Sequence, residues 1–139
     1  EEGSTVSIEV YRPSEDKYLT FEVERKTIEI PMVTSKMLDN NIGYVAVYEF
    51  EETTSEQFNQ AIDALTAQGM KGLIIDLRDN PGGLVNSATA ILDRILSKDQ
   101  LLVYTVDKNG KKQEEYTEDD ETINVPISVL INGNSASAS

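Results

Sequence analysis

The sequence contains no cysteine, no histidine and no tryptophan. The first absence excludes disulfides, thiolate nucleophiles and cysteine metal sites. The second removes the commonest general base and metal ligand, so a zinc site would need carboxylates alone, an unusual donor set. Positive charge is also scarce. Twelve basic against 25 acidic residues leave a net charge of −13, which repels phosphate backbones and anionic lipid surfaces. Nucleic-acid binding is disfavoured, and neither a metal nor an organic cofactor is implied. No apolar run approaches the roughly 20 residues that cross a bilayer. The opening Glu1-Glu2-Gly3-Ser4 has neither the basic start nor the apolar stretch of a signal peptide.

What is present suffices for a real core in 139 residues. Val6, Ile8 and Val10 alternate with polar residues, and Leu19, Phe21 and Val23 do so again beyond the turn-like Arg12 to Lys17, which predicts a β-hairpin. Pro31 then interrupts an extended stretch, so residues 31–41 are expected to be a joint between a first unit, 1–30, and a second, 42–139.

From Ile42 the pattern becomes that of buried strands. Tyr44, Ala46, Tyr48 and Phe50 are placed on one face and Val45 and Val47 on the other. Thr54 with Gln57 suggests a capping box, after which Phe58, Ala61, Ile62 and Leu65 recur at helical spacing up to Gly69. Residues 72–77 form a second apolar strand, Leu84, Ala88, Ile91, Leu92 and Ile95 a second helical stripe, and 101–106 and 125–131 two further strands. Alternating strands and helices predict an α/β core with parallel pairing in βαβ units. Glu114 to Glu121 is expected to be a solvated acidic connection, since it lacks the ligand spacing of a calcium loop.

Two segments carry the chemistry. Asp76-Leu77-Arg78-Asp79-Asn80-Pro81-Gly82-Gly83 joins a buried strand to a helix, where ligands of open α/β sheets bind and where glycine amides can face developing negative charge. No Walker lysine accompanies it, which argues against a phosphate loop. The second segment is Asn132-Gly133-Asn134-Ser135-Ala136-Ser137-Ala138-Ser139, delivered by an apolar strand. A helix starting near Ser135 to Ser137 would set the Ala138 amide beside a serine hydroxyl, and one oxyanion donor is worth about 3–4 kcal/mol. Asp76 and Arg78 are expected to pair beside the loop. The lysines sit among polar residues or far from the serines, so none is a ready base.

Together, residues 72–83 and the run Val129-Leu130-Ile131-Asn132-Gly133-Asn134-Ser135-Ala136-Ser137-Ala138-Ser139 resemble the carboxy-terminal processing (tail-specific) serine proteases. Ile42-Gly43-Tyr44 and the following helix resemble that family's first core strand and helix, and the hairpin resembles the end of its PDZ domain. The resemblance implies a partial ClpP/crotonase-like core in which Ser137 is the nucleophile and the amides of Gly83 and Ala138, with Gly82 the neighbouring candidate, hold the oxyanion. It also implies a lysine general base in a segment outside this chain, so that the chain alone is expected to be an inactive fragment. That lysine must be neutral, its pKa lowered by burial from about 10.4 to about 7–8. The implied substrate is a protein or peptide, and the implied location is extracytoplasmic, in the cell envelope. Homo-oligomerisation and membrane association of the longer protein are compatible with the resemblance. A non-catalytic peptide-binding module on the same fold is the main alternative, and a crotonase-like acyl enzyme a weaker one.

Overall fold

The computed structural model describes residues 1–28, 30–118, 120 and 122–139. Two compact units divide at Ile30 and Pro31. The first is an antiparallel ribbon of β1 (Thr5–Arg12) and β2 (Lys17–Glu24), in register Val6 to Val23, Ile8 to Phe21 and Val10 to Leu19. Those pairs place the apolar side chains on one face, which a two-stranded ribbon cannot bury by itself. Pro13 to Glu15 turn the chain, and Asp16 completes the turn in the left-handed region at φ 48°, its carboxylate accepting from the Tyr11 hydroxyl at 2.6 Å.

The second unit is built on a four-stranded sheet of order β3-β4-β5-β8, comprising β3 (Val33–Leu38), β4 (Ile42–Val47), β5 (Gly72–Asp76) and β8 (Ile127–Leu130). β4, β5 and β8 run parallel, and β3 pairs antiparallel to β4. Helix α1 (Thr54–Ala67) connects β4 to β5, and α2 (Val85–Ile95) follows β5. Phe58, Ile62 and Leu65 of α1 and Ala88 and Ile91 of α2 form one core with Val45, Val47, Leu73 and Ile75 of the sheet. No helix among the described residues is long and apolar enough to cross a membrane.

Five local expectations need correction. Residues 31–41 hold edge strand β3, anchored where the Gln57 side-chain oxygen accepts from the Met32 and Val33 amides at 2.8 and 3.2 Å. Gln57 therefore does not close a capping box. Thr54 reaches backward instead, accepting from the Glu51 amide and donating to the Glu49 carbonyl, both at 2.9 Å.

The strand at 101–106 lies outside the core sheet. As β6 (Leu101–Val106) it pairs antiparallel with β7 (Lys112–Tyr116), and this hairpin is inserted between α2 and β8. The expected acidic connection thus begins as a strand, with the Lys112 ammonium 4.1 Å from the Tyr104 ring centre and 2.5 Å from Glu114. Thr117 is buried and bonded to Ser97 and Gln100, while Asp119 and Glu121 of the expected loop lie outside the described residues. Finally, Phe50 packs with Val45 and Val47 rather than with Tyr44, because β4 ends at Val47 and the two-residue alternation ends with it.

Phe58 of α1 is fully buried in the core that the two helices share with the sheet. Phe58→Ala is expected to cost the second unit about 3–5 kcal/mol, the usual price of an emptied aromatic site. Urea unfolding followed by far-UV circular dichroism checks this, and a loss below 1 kcal/mol would show that the core collapses around the gap.

Candidate active site

Parallel pairing of β5 with β8 sets the loops leaving their carboxyl ends side by side, and the pairing runs on through the Leu77 amide to the Leu130 carbonyl at 2.8 Å. At the end of β5 the buried Asp76 carboxylate is gripped by the Arg78 guanidinium, with Nε 2.9 Å from Oδ1 and Nη2 2.6 Å from Oδ2, and by the Arg78 amide at 3.0 Å. The Tyr44 hydroxyl donates to Oδ2 at 2.5 Å. The expected pair is therefore a closed three-residue cluster. Arg78 foremost, with Tyr44 assisting, holds the Asp76 carboxyl well below the usual carboxylate range against the opposing effect of burial, while the hydrogen bond to Asp76, and burial after it, raise the Tyr44 phenol against the opposing effect of Arg78.

Next the loop passes through Asp79, Gly82 and Gly83, all with positive φ of 62°, 109° and 126°. Asn80 is fully buried. Its Nδ2 donates to the Val47 carbonyl at 2.9 Å and its Oδ1 accepts from the Gly82 amide at 2.8 Å. Beyond it, Gly82 and Gly83 fold back along Phe50, whose amide donates to Gly82 O at 2.8 Å and whose carbonyl accepts from Leu84 N at 2.6 Å.

The loop after β8 is laced to the first. Asn132 and Asn134 donate side-chain amides to Asp79 Oδ1 at 2.9 and 2.7 Å, while Asn132 Oδ1 accepts from the Asp79 amide at 3.0 Å. Ser135 donates its hydroxyl to the Leu77 carbonyl at 2.6 Å, which makes it structural. The Ala136 amide and the Ser139 hydroxyl both bond the Asn80 carbonyl at 3.1 Å. Of the three serines in the run, Ser137 alone is exposed and makes no hydrogen bond through its hydroxyl among the described residues.

Ser135 to Ser137 are not helical, contrary to expectation. Ser137 sits at φ 53° in a tight turn closed by the Ser139 amide on the Ala136 carbonyl at 3.1 Å. A non-glycine residue in that conformation is held there at a cost of about 1–3 kcal/mol, and such strain concentrates at functional sites. Ala138 is half-buried and packs on the core.

The structure brings Gly82, Ser137 and Ala138 together, while Gly83, the next residue along the loop, lies against the Phe50 backbone. Gly82 is the one in contact with the serine turn. A methyl on it would lie 2.6 Å from Ser137 Cβ and 2.9 Å from the Ala138 nitrogen, which no side chain can tolerate. A methyl on Gly83 would instead collide with the Phe50 backbone. Gly82 has already committed its amide to Asn80, whereas the amides of Gly83 and Ala138 donate to no acceptor among the described residues. The two loops thus present an exposed hydroxyl on a strained turn, with the Gly83 and Ala138 amides left without an acceptor among the described residues. Asn80 was not singled out from sequence, although an asparagine before Pro-Gly is a recognisable turn-forming signal.

Peptidase family S41 matches residues 41–139. The carboxy-terminal processing protease CtpA of Bacillus subtilis (strain 168) is 36% identical over 136 residues, 98% of this chain and 29% of that protein. CtpB of the same organism is 35% identical over 142 residues, covering 99% and 29%. The chain thus spans less than a third of the length of these relatives. Its fold matches that of the photosystem II D1 C-terminal processing protease with a TM-score of 0.68 at 24% identity, over 99% of this chain and 39% of that one.

Two predictions follow from this geometry. Gly82→Ala forces a methyl into the Ser137 turn and is expected to cost about 1–3 kcal/mol of stability and to displace the turn, seen as altered amide resonances at 136–138. Unchanged resonances there would mean that the loops are not in contact. Asp76 has a folded pKa depressed below its unfolded value, so its contribution to stability is complete above about pH 4 and is lost as pH falls further, through the folded pKa. Asp76→Asn is expected to be less stable than the parent by about 1–3 kcal/mol at pH 7, with the gap narrowing between pH 4 and pH 2 in denaturant titrations. A gap independent of pH would refute the ion-pair assignment.

Proposed function

The chain belongs to peptidase family S41, and from that premise we propose that it carries the nucleophile and oxyanion half of a serine endopeptidase site that uses a serine–lysine dyad. Ser137 is the nucleophile and the Gly83 and Ala138 amides are the oxyanion donors. The observation that carries this reading is the exposed, unbonded Ser137 hydroxyl on a turn at φ 53°, seated on Gly82 with both amides uncommitted.

In the reaction, Ser137 Oγ attacks a peptide carbonyl while a neutral lysine amine takes its proton. The tetrahedral oxyanion is met by the two backbone N–H groups, and collapse expels the amine, which the lysine ammonium protonates. Water then hydrolyses the acyl-enzyme by the same route. The lysine lies in a segment outside residues 1–139, so the 139-residue chain alone is inactive. The first unit, 1–30, is the end of a PDZ domain that recognises a substrate C-terminus by strand addition, and the second is part of a ClpP/crotonase-like core. The substrate is a protein or peptide and the setting is extracytoplasmic, in the cell envelope. No cofactor enters the reaction.

In the full-length protein a fluorophosphonate probe is expected to label Ser137, and Ser137→Ala to lower peptide hydrolysis by about 10⁴–10⁶-fold, as for other serine nucleophiles. Activity should rise with pH through about 7–8, as the lysine loses its proton. Labelling elsewhere, or hydrolysis that survives Ser137→Ala, would reject the assignment.

A further inference from the structure

We propose that Asn80 is a positioning residue of the oxyanion site, selecting Gly83 rather than Gly82 as the loop's donor. This rests on the protease reading above. A fully buried primary amide must have its polar atoms satisfied, and Asn80 does so by tying together three segments. Its Nδ2 holds the Val47 carbonyl at the end of β4, its Oδ1 holds the Gly82 amide, and its backbone carbonyl receives the Ala136 amide and the Ser139 hydroxyl on either side of Ser137.

Spacing explains the choice of amide. Asparagine side chains bond the backbone two residues ahead, and the intervening Pro81 has no N–H to compete. The first amide after Asn80 is therefore that of Gly82, and it is consumed. Gly82 is also the buried glycine against which Ser137 packs, while Gly83 is exposed and its amide is uncommitted. One side chain thus removes the nearer amide from competition and, through its own carbonyl, holds the turn that presents the hydroxyl. Aspartate lacks the donor that Val47 requires, and leucine lacks both groups. Only asparagine at this length offers a donor and an acceptor on one planar group.

The deciding experiment uses the full-length protein and a peptide boronate, which forms a tetrahedral adduct on a serine. In the wild-type protein labelled with ¹⁵N-glycine, the adduct is expected to shift the Gly83 amide proton downfield and leave Gly82 unmoved. Asn80→Ala is expected to lower kcat about 10–100-fold, in step with the boronate affinity, while KM stays within about twofold. A shift centred on Gly82, an unchanged kcat in Asn80→Ala, or a KM that rises as kcat falls would overturn the positioning role. Should Asn80→Ala fail to fold, the wild-type resonances still decide. A wild-type protein that neither hydrolyses peptides nor binds the boronate overturns the protease reading itself, a result distinct from any of these.

Discussion

Everything at the site depends on the parallel contact between β5 and β8. Four register pairs, Leu73 to Ile127 through Asp76 to Leu130, align the strand ends, so the loops beyond Asp76 and Leu130 leave the sheet together. Residues more than fifty positions apart in sequence then bond directly, Asp79 to Asn132 and Asn134, and Leu77 to Ser135. Neither loop has a helix or strand of its own at this point. Each is ordered by the other, and both by the sheet. The conformational cost of fixing them, about 1–2 kcal/mol per residue, is met by a dense set of short hydrogen bonds in which Asn80 is the buried member.

Within that frame, small residues serve opposite purposes. Gly82 is small because the Ser137 turn occupies the space where a side chain would stand, and Gly83 because the Phe50 backbone does. Ala138 is small yet not negligible, since its methyl packs on the core and fixes the turn from below. The strained φ of Ser137 is held by bonds on both sides, from Ala136 and Ser139 to one carbonyl. The hydroxyl that does no structural work is thus presented by neighbours that do.

Much of this was legible in the sequence because the relevant signals are local. The two-residue alternation of β1, β2 and β4, the helical stripes of α1 and α2, and the strand-to-glycine-loop transition at Asp76 all follow from period and turn chemistry. What was misassigned depends on tertiary choice. A run such as Leu101 to Val106 satisfies a strand in any sheet, and its partner is decided by the turn at Asp107 to Gly110. There Asp107 accepts from the Asn109 and Lys111 amides and Gly110 takes φ 81°. That Asn-Gly signal was present and marks a hairpin. Strand β3 was obscured by the proline before it, although Pro31 lies outside the paired residues. The helix expected at Ser135 to Ser137 was inferred from alanine content, which is a weak preference that the bonds to Asn80 override.

The electrostatics of the loop bear on the serine–lysine mechanism proposed above. A lysine acting at neutral pH must lose its charge, and any bare carboxylate nearby opposes that loss by stabilising the ammonium. Two carboxylates stand on the glycine loop, and neither is bare. Asp76 is matched by Arg78 in a closed pair, so its charge has a partner of opposite sign at contact distance. Asp79 accepts hydrogen bonds from the Asn134 and Asn132 side-chain amides, which hold its carboxyl below the usual carboxylate range. In a chain of net charge −13, the Asp76–Arg78 pair cancels one of these two charges, while Asp79 keeps its own, held by hydrogen bonds from two neutral side-chain amides. In the proposed serine–lysine mechanism, burial of the lysine amine therefore has to outweigh the remaining Asp79 charge, because the bonds that lock the two loops together stabilise that carboxylate in its ionised form.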